Sequence, residues 1–375
     1  NLTKKNFIRF SQSYLDNNEI INVEKTIKSN FLGLGKEVSI FEDRLIKFIG
    51  NKNKNIVCVN SGTSALQIAI ESLKLPIGSE IILPSLTFFA SCQAIIAAKM
   101  KPVICDIDLN NAVIDPKDLE KKITKKTKAI MPVHYASSFG ELDIIYKIAK
   151  KYNLRVIEDA AHSFGSLYKG KRVGYYGDII CFSFDGIKNI TSGEGGAVVT
   201  SNKILYKNLR ILRNLGISVN KKNNKIDVDS KLVGGRFHMN NIHAAIGIEQ
   251  LKKINDIAKK RKYIASLYQN QLSSIKQIKF LNINYSKEKI IPHIVPILIL
   301  NHKRNNLQKF LVKNNIETRT NYYPLNKLSL FKKNRFKCPN AEKFSQQVLT
   351  LPIHPDLNDS ELKFITNKIK MFFNQ

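Results

Sequence analysis

The sequence predicts an α/β protein with a large domain built on a mostly parallel sheet and a smaller C-terminal α/β domain. Three observations carry this expectation. From about residue 55 to 200, the short apolar runs "NIVCV", "EIILP", "PVICDID", "KAIMPVH", "LRVIED", "DIICFSF" and "GAVVTS" alternate with helical patterns, the order in which strands lie parallel beneath covering helices. A second, shorter alternation closes the chain, with "HIVPILIL", "NLQKFLVKNNIETRT" and "DSELKFITNKIKMFF". A length of 375 residues is enough for two such cores without staples. The expected division is 1–250, which includes an N-terminal segment, and 251–375.

In chain order, the first run, "NIVCV", reads as a strand. The stretch "SALQIAIESLKL" follows it and sets Ala65, Leu66, Ile68, Ala69 and Leu73 on one apolar helical face. Further strand runs follow up to "GAVVTS". The polar stretch "NLGISVNKKNNKIDVDSK", 214–231, reads as a mobile surface loop. From Ser230 to about Ala265 the pattern reads as helix after a glycine-containing turn, with "NNIHAAIGIEQLKKI" nearly periodic at 3.6 residues. No internal repeat is visible.

Composition narrows the function classes. The five cysteines are scattered with no CxxC pair, so neither a disulfide framework nor a zinc site is indicated, and a reducing cytoplasm fits. The longest apolar run, "IIPHIVPILIL", is broken by Pro292 and Pro296 and falls short of the roughly 20 residues that span a bilayer. "NLTKKNF" carries no apolar leader core. The formal charge of +30 raises the question of nucleic acid. The lysines are spread along the whole chain, and no zinc-finger spacing, RNP-type motif or basic heptad run accompanies them. A solvated surface with a modest attraction for small anions is expected, with neither a nucleic-acid nor a membrane partner.

Three stretches carry candidate chemistry. "VNSGTSAL" runs from strand through a glycine turn into a helix, so Gly62, Thr63 and Ser64 either seat a phosphate at the helix N-terminus or simply cap it. "LRVIEDAAHSFG" ends a buried strand on Glu158 and Asp159, with His162 close behind. A carboxylate there is either a ligand group at the C-terminal edge of the sheet or a solvated turn acid. "SFDGIKNITSGEGG" places Ser183 and Lys188 between two strands beside several glycines, which let the backbone approach a ligand closely. A loop lysine is ordinarily a solvated charge. Phosphate seat, strand-end carboxylate and loop lysine, in that order, are together what pyridoxal 5'-phosphate requires: an anchor, a partner for the pyridine nitrogen and an amine for the coenzyme aldehyde.

With these motifs, the chain resembles the DegT/DnrJ/EryC1/StrS family of pyridoxal-phosphate-dependent aminotransferases, which act on nucleotide-linked keto-sugars and have the aspartate aminotransferase (type I) fold. The resemblance runs through "GLGKEVSIFEDRLIKFIG", "VNSGTSALQIAI", "LPSLTFFAS", "VIEDAAHSFG", "SFDGIKNITSGEGGAVVT" and "LPIHPDLNDSEL". It implies that Lys188 binds the coenzyme covalently, that Asp159 partners the pyridine nitrogen and that Phe88 stacks on the ring. It also implies that Thr63, Ser64 and Ser183 hold the phosphate and that His162 sits near the phenolic oxygen. Further implications are a homodimer with shared sites, a nucleotide-linked keto-sugar, most commonly 4-keto-6-deoxy, and L-glutamate as amino donor.

Two departures from the family pattern stand out. Asp185-Gly186-Ile187 replaces a stretch that reads His-Pro in many members, which changes what faces the substrate. Arg236, in "GGRFHMNN", stands where many members carry an Asn that reaches the neighbouring subunit. Arg236 is therefore expected either to meet the partner's coenzyme phosphate or the substrate diphosphate, or to lie on the surface. Coenzyme-dependent sugar dehydratases of this kind replace the lysine with histidine, and Lys188 argues against that activity. A regulator that keeps fold and coenzyme without catalysis is disfavoured by the intact Lys188 and Asp159.

Overall fold

The computed structural model describes residues 7–374 except 223, 224, 231, 286–288 and 335. Two N-terminal helices, α1 (Asn17–Lys28) and α2 (Lys36–Ile49), precede the alternating region. That region contains β1 (Asn55–Val59), α3 (Gly62–Ser72), β2 (Glu80–Pro84), α4 (Phe89–Ala97), β3 (Lys101–Cys105), α5 (Pro116–Lys121), β4 (Thr127–Ile130), α6 (Leu142–Lys151) and β5 (Arg155–Asp159). After the two-residue strands β6 (Leu167–Tyr168) and β7 (Lys171–Arg172) come β8 (Ile179–Ser183), β9 (Gly196–Thr200) and α7 (Lys203–Leu212).

The main sheet has seven strands in the order β1-β9-β8-β5-β4-β2-β3. Strands β2, β3, β4, β5 and β8 pair in parallel, as the alternation predicts. β9 runs antiparallel to both β1 and β8. The chain from Ser183 to Gly196 turns back without a helix, so β9 can only return antiparallel beside the strand it left. The C-terminal ends of β1, β5 and β8 thus share one edge with the start of β9: Gly196 sits opposite both Val59 and Ser183. Backbones approach closely there, since a Cβ on Gly196 would fall 2.4 Å from the Ser61 carbonyl oxygen. The buried face of α3, including Ala65, Leu66, Ile68 and Ala69, packs on this sheet, while Leu73 is only partly buried.

Two expectations are corrected. The stretch read as a loop is largely an antiparallel hairpin, β10 (Ile217–Lys222) with β11 (Lys225–Ser230). Its "ISVNKK" and "KIDVDS" alternate weakly enough to read as polar loop. In the region read as one helix from Ser230, residue 231 lies outside the described residues and 232–239 are not helical: His238 is bridged to Val59 and the Phe237 carbonyl accepts from Asn60 N (2.7 Å). Helix begins only at α8 (Asn241–Lys252), where the Asn240 side chain caps His243 N at 2.8 Å, and Lys253 separates it from α9 (Ile254–Leu272).

α8 packs on α1 and α2, and α9 packs on α12 (Asp359–Phe373). The C-terminal part adds α10 (Arg304–Lys313), α11 (Pro339–Gln347) and an antiparallel sheet of β12 (Ile278–Phe280), β13 (Val295–Ile299) and β14 (Val348–Leu351). The apolar run broken by Pro292 and Pro296 contributes β13, buried along its whole length. No helix of the described residues is long and apolar enough to cross a membrane. Ile8 and Phe10 join this part from the other end of the chain: Ile8 bridges Ile316 and Phe10 N donates to Glu317 (2.9 Å).

Candidate active site

A cleft of about 420 Å³ opens at the shared edge, lined by Gly62, Thr63, Phe88, Asp159, His162, Ser183 and Lys188 among others. Three separate sequence motifs therefore converge. Each reaches the cleft because its strand ends there: β1 delivers Gly62, β5 delivers Asp159 and β8 delivers Ser183.

At the first wall, Ser61 is the N-cap of α3, its hydroxyl accepting from Ser64 N at 3.0 Å. The N–H groups of Gly62 and Thr63 open the helix with no acceptor among the described residues. A Cβ on Gly62 would lie 2.7 Å from the Ser183 Cβ, so only glycine lets the helix start stand against the end of β8. Free N–H groups and hydroxyls at a helix N-terminus form an anion seat. The Ser64 hydroxyl turns away, donating to Asn60 (2.7 Å) beside the Ser61 oxygen (2.9 Å).

Asp159 forms another wall. Ser91, buried in the first turn of α4, donates to its Oδ2 at 2.7 Å and is itself 2.7 Å from the Thr87 hydroxyl. Ala161 N–H reaches Oδ1 at 3.2 Å. The same helix start carries Phe88, whose exposed ring stands 5.8 Å from that of Tyr322.

The loop between β8 and β9 carries Lys188. Its neck closes through Phe184 N–H to Gly195 O and Ser192 N–H to Phe184 O, both 2.8 Å. Next to Lys188, the buried Asn189 amide donates to Phe164 O (3.0 Å) and Ile291 O (3.3 Å), tying the loop to two distant segments. Burial lowers the Lys188 pKa against the opposing pull of Asp185 and Asp159, and Arg261 adds to the lowering. Lys188 Nζ stands 3.5 Å from His293 Nε2. His162 accepts from Ala136 N–H at Nδ1 (3.3 Å), which puts its ring proton on Nε2, 3.0 Å from the Tyr322 oxygen. Burial, then Lys188 and His134, hold His162 far below the usual imidazole value, so it is neutral near pH 7.

Comparison with known proteins decides what this cleft belongs to. Residues 13–370 match the profile of the DegT/DnrJ/EryC1/StrS aminotransferase family. The chain belongs to that family. It is accordingly a pyridoxal-phosphate-dependent aminotransferase with the type I fold. It is 34% identical to the UDP-4-amino-4,6-dideoxy-N-acetyl-beta-L-altrosamine transaminase of Campylobacter jejuni, over 96% of both proteins. It is 32% identical to the GDP-perosamine synthase of Vibrio cholerae, over 96% of this chain and 97% of that one. Among solved structures, Helicobacter pylori PseC, an aminotransferase involved in the biosynthesis of pseudoaminic acid, superposes with a TM-score of 0.92 at 30% identity, covering 98% of this chain and 99% of that one. A Streptococcus pneumoniae chain solved in a PLP form superposes with a TM-score of 0.90 at 28% identity, covering 98% and 99%.

The residues of this aminotransferase fit the coenzyme. The crevice that a Cβ on Gly62 would fill, with unpaired N–H groups and the Thr63 and Ser183 side chains, suits a phosphate; the braced carboxylate of Asp159 suits a ring N–H. Of the residues singled out from sequence, Gly62, Thr63, Phe88, Asp159, His162, Ser183 and Lys188 line the cleft, whereas Ser64 and Arg236 do not. Arg236 is exposed, with its backbone bridged to Asn214. Sequence reasoning missed Ser61, Ser91, His293 and Tyr322. Ser61 was legible, standing one residue before the glycine turn. The others lie far along the chain from the groups they meet, and no local pattern marks them.

Proposed function

We propose that this aminotransferase moves an amino group from L-glutamate to the keto carbon of a nucleotide-linked deoxy-sugar, a 4-keto-6-deoxy sugar, supplying an amino sugar for a surface glycan. The observation that carries the reading is the convergence of Lys188, Asp159 and the open start of α3 in one cleft. The names of the Campylobacter and Vibrio relatives support the sugar substrate, and both are matched over nearly their whole length. Arg319, which also lines the cleft, and the excess of positive charge suit a substrate carrying a diphosphate.

When bound, pyridoxal phosphate supplies an electron sink that allows a proton to leave the donor's Cα. The chain's own residues do the rest. Gly62 N–H, Thr63 and Ser183 would hold the phosphate. Asp159, kept in one orientation by Ser91 and Ala161 N–H, would accept the pyridine N–H and keep that nitrogen protonated. Phe88 would pack against the coenzyme ring, and neutral His162 would lie beside its polar edge. Lys188 Nζ would hold the coenzyme and, as a free amine, would take up the donor's Cα proton and give it back; its lowered pKa leaves more of it as free amine than an exposed lysine would have. The protein acts as a homodimer in which Arg236 reaches the partner's site.

The test is to incubate protein, coenzyme and glutamate with a panel of nucleotide-linked keto-sugars and identify products by mass and NMR. Aminated nucleotide sugar with 2-oxoglutarate in equal amount is expected. Glutamate consumption that never aminates a sugar, alongside amination of simple keto acids, would contradict the proposal.

A further inference from the structure

Beyond its effect on the Lys188 pKa, the wholly buried Arg261 of α9 has no contact role in the chemistry just described. It is 1% exposed and, among the described residues, forms no salt bridge. Its contacts are instead backbone carbonyls: Nη1 donates to Pro292 O (3.3 Å) and His293 O (3.1 Å), and Nη2 to Ile187 O (3.5 Å). Removing a guanidinium from water without a carboxylate partner is costly, and burial pushes its pKa down to about 10. What this group joins is specific. Ile187 immediately precedes Lys188 in the loop after β8, whereas Pro292 and His293 lead into β13 of the C-terminal part.

His293 is likewise unexplained. It is 3% exposed, its ring packs 4.4 Å from that of His162, and its Nδ1 is buried with no hydrogen-bond partner among the described residues. Its Nε2, 3.5 Å away, is the hydrogen-bond partner the structure gives Lys188 Nζ.

We propose that His293 is a positioning residue for the Lys188 amine, and that Arg261 sets their separation by clamping the Lys188 loop to the His293 segment. This rests on the role of Lys188 given above. A neutral His293 accepts a hydrogen from Lys188 Nζ, which aims the amine's lone pair at the cleft. Burial, with Lys188, His162 and Arg261 as cationic or potentially cationic neighbours, keeps the imidazole neutral. The two-pronged contact needs a planar fork, which a lysine at 261 lacks.

The test compares His293→Phe, which keeps a ring and loses the acceptor, with His293→Gln, which keeps an acceptor, and adds Arg261→Lys. In coenzyme-free protein, cyanate labelling of the Lys188 peptide is followed by mass spectrometry across pH. With His293→Phe the labelling midpoint moves to lower pH, because the ammonium form loses its acceptor. The loaded His293→Phe enzyme nevertheless loses kcat roughly ten- to a hundredfold, with little change in KM for the donor. A more available amine that works less well is the signature of lost orientation. His293→Gln restores both readouts, and Arg261→Lys reproduces the His293→Phe midpoint. An unchanged midpoint in His293→Phe, or His293→Gln behaving as Phe, overturns the proposal. Should Arg261→Lys fail to fold, the two His293 variants decide alone. Labelling does not depend on turnover, so a midpoint shift in a protein that aminates no sugar would refute the proposed reaction while upholding the contact.

Discussion

Asp159 shows how a residue legible in sequence depends on one that is not. Its place at the end of "RVIED" marks it, yet its orientation is set by Ser91, which is far away in sequence and belongs to another helix. Asp159→Ala should lower turnover at saturating coenzyme by roughly a hundredfold or more, because the pyridine nitrogen loses the group that keeps it protonated. Ser91→Ala should cause a smaller loss of the same kind, and steady-state kinetics on the two variants checks both. The buried histidines give a pH prediction. His162 and His293 are held far below the value they take when unfolded, about 6.5. Below that pH the unfolded chain binds more protons, so stability is fully present above about pH 6.5 and is lost as pH falls, by up to about 1.4 kcal/mol per pH unit for each histidine. Urea titrations at pH 7 and 5.5 should show that slope, and His293→Gln should reduce it. The motif residues were readable because each sits in a short local pattern. His293 and Tyr322 were not, because they meet Lys188 and His162 only once the C-terminal part folds against the sheet.

At the scale of elements, the sequence correctly marked the strands of the parallel region and the placement of Lys188 between two of them. It did not mark β9 as antiparallel, since "GAVVTS" reads the same in either direction; the twelve-residue loop from Phe184 to Gly195 decides that. The hairpin of β10 and β11 escaped notice because its alternation is polar. The start of α8 was misplaced because 235–238 spends its hydrogen bonds on Leu212, Arg213, Leu215 and Asn60, beside the end of β1, instead of forming a helical turn. Close backbone packing at the site edge gives a further prediction. Gly196→Ala places a Cβ against the Ser61 carbonyl, which cannot yield, so a loss of about 1–3 kcal/mol is expected in urea unfolding. Gly62→Ala meets the Ser183 side chain instead. It should destabilise the fold as well and, in the protein that remains folded, weaken coenzyme binding, which thermal melts and coenzyme titration would measure separately.

At the scale of the molecule, the break at Lys253 separates α8, packed on the N-terminal helices, from α9, packed on α12. We propose that the two domains divide near this break, within a few residues of 250/251; Ile8 and Phe10 reach across to the C-terminal part. Arg236 belongs to this scale as well, because it is exposed on its own chain and lies outside its own cleft. If it completes the partner's site, Arg236→Ala should weaken coenzyme or substrate binding by roughly ten- to a hundredfold, as for a charge-assisted hydrogen bond of about 1.5–3 kcal/mol. Mixing Arg236→Ala subunits with Lys188→Ala subunits should then restore activity, since each hybrid dimer holds one site with both residues intact. Wild-type affinity in the Arg236→Ala protein would place that residue on a plain surface.

The role of Lys188 is tested most directly by borohydride reduction of the coenzyme-loaded protein followed by peptide mapping. The pyridoxyl label should fall on the peptide containing Lys188 and be absent from the Lys188→Ala protein, which should also have no measurable amino transfer. A label on any other lysine, or undiminished amino transfer by Lys188→Ala, would contradict the assignment.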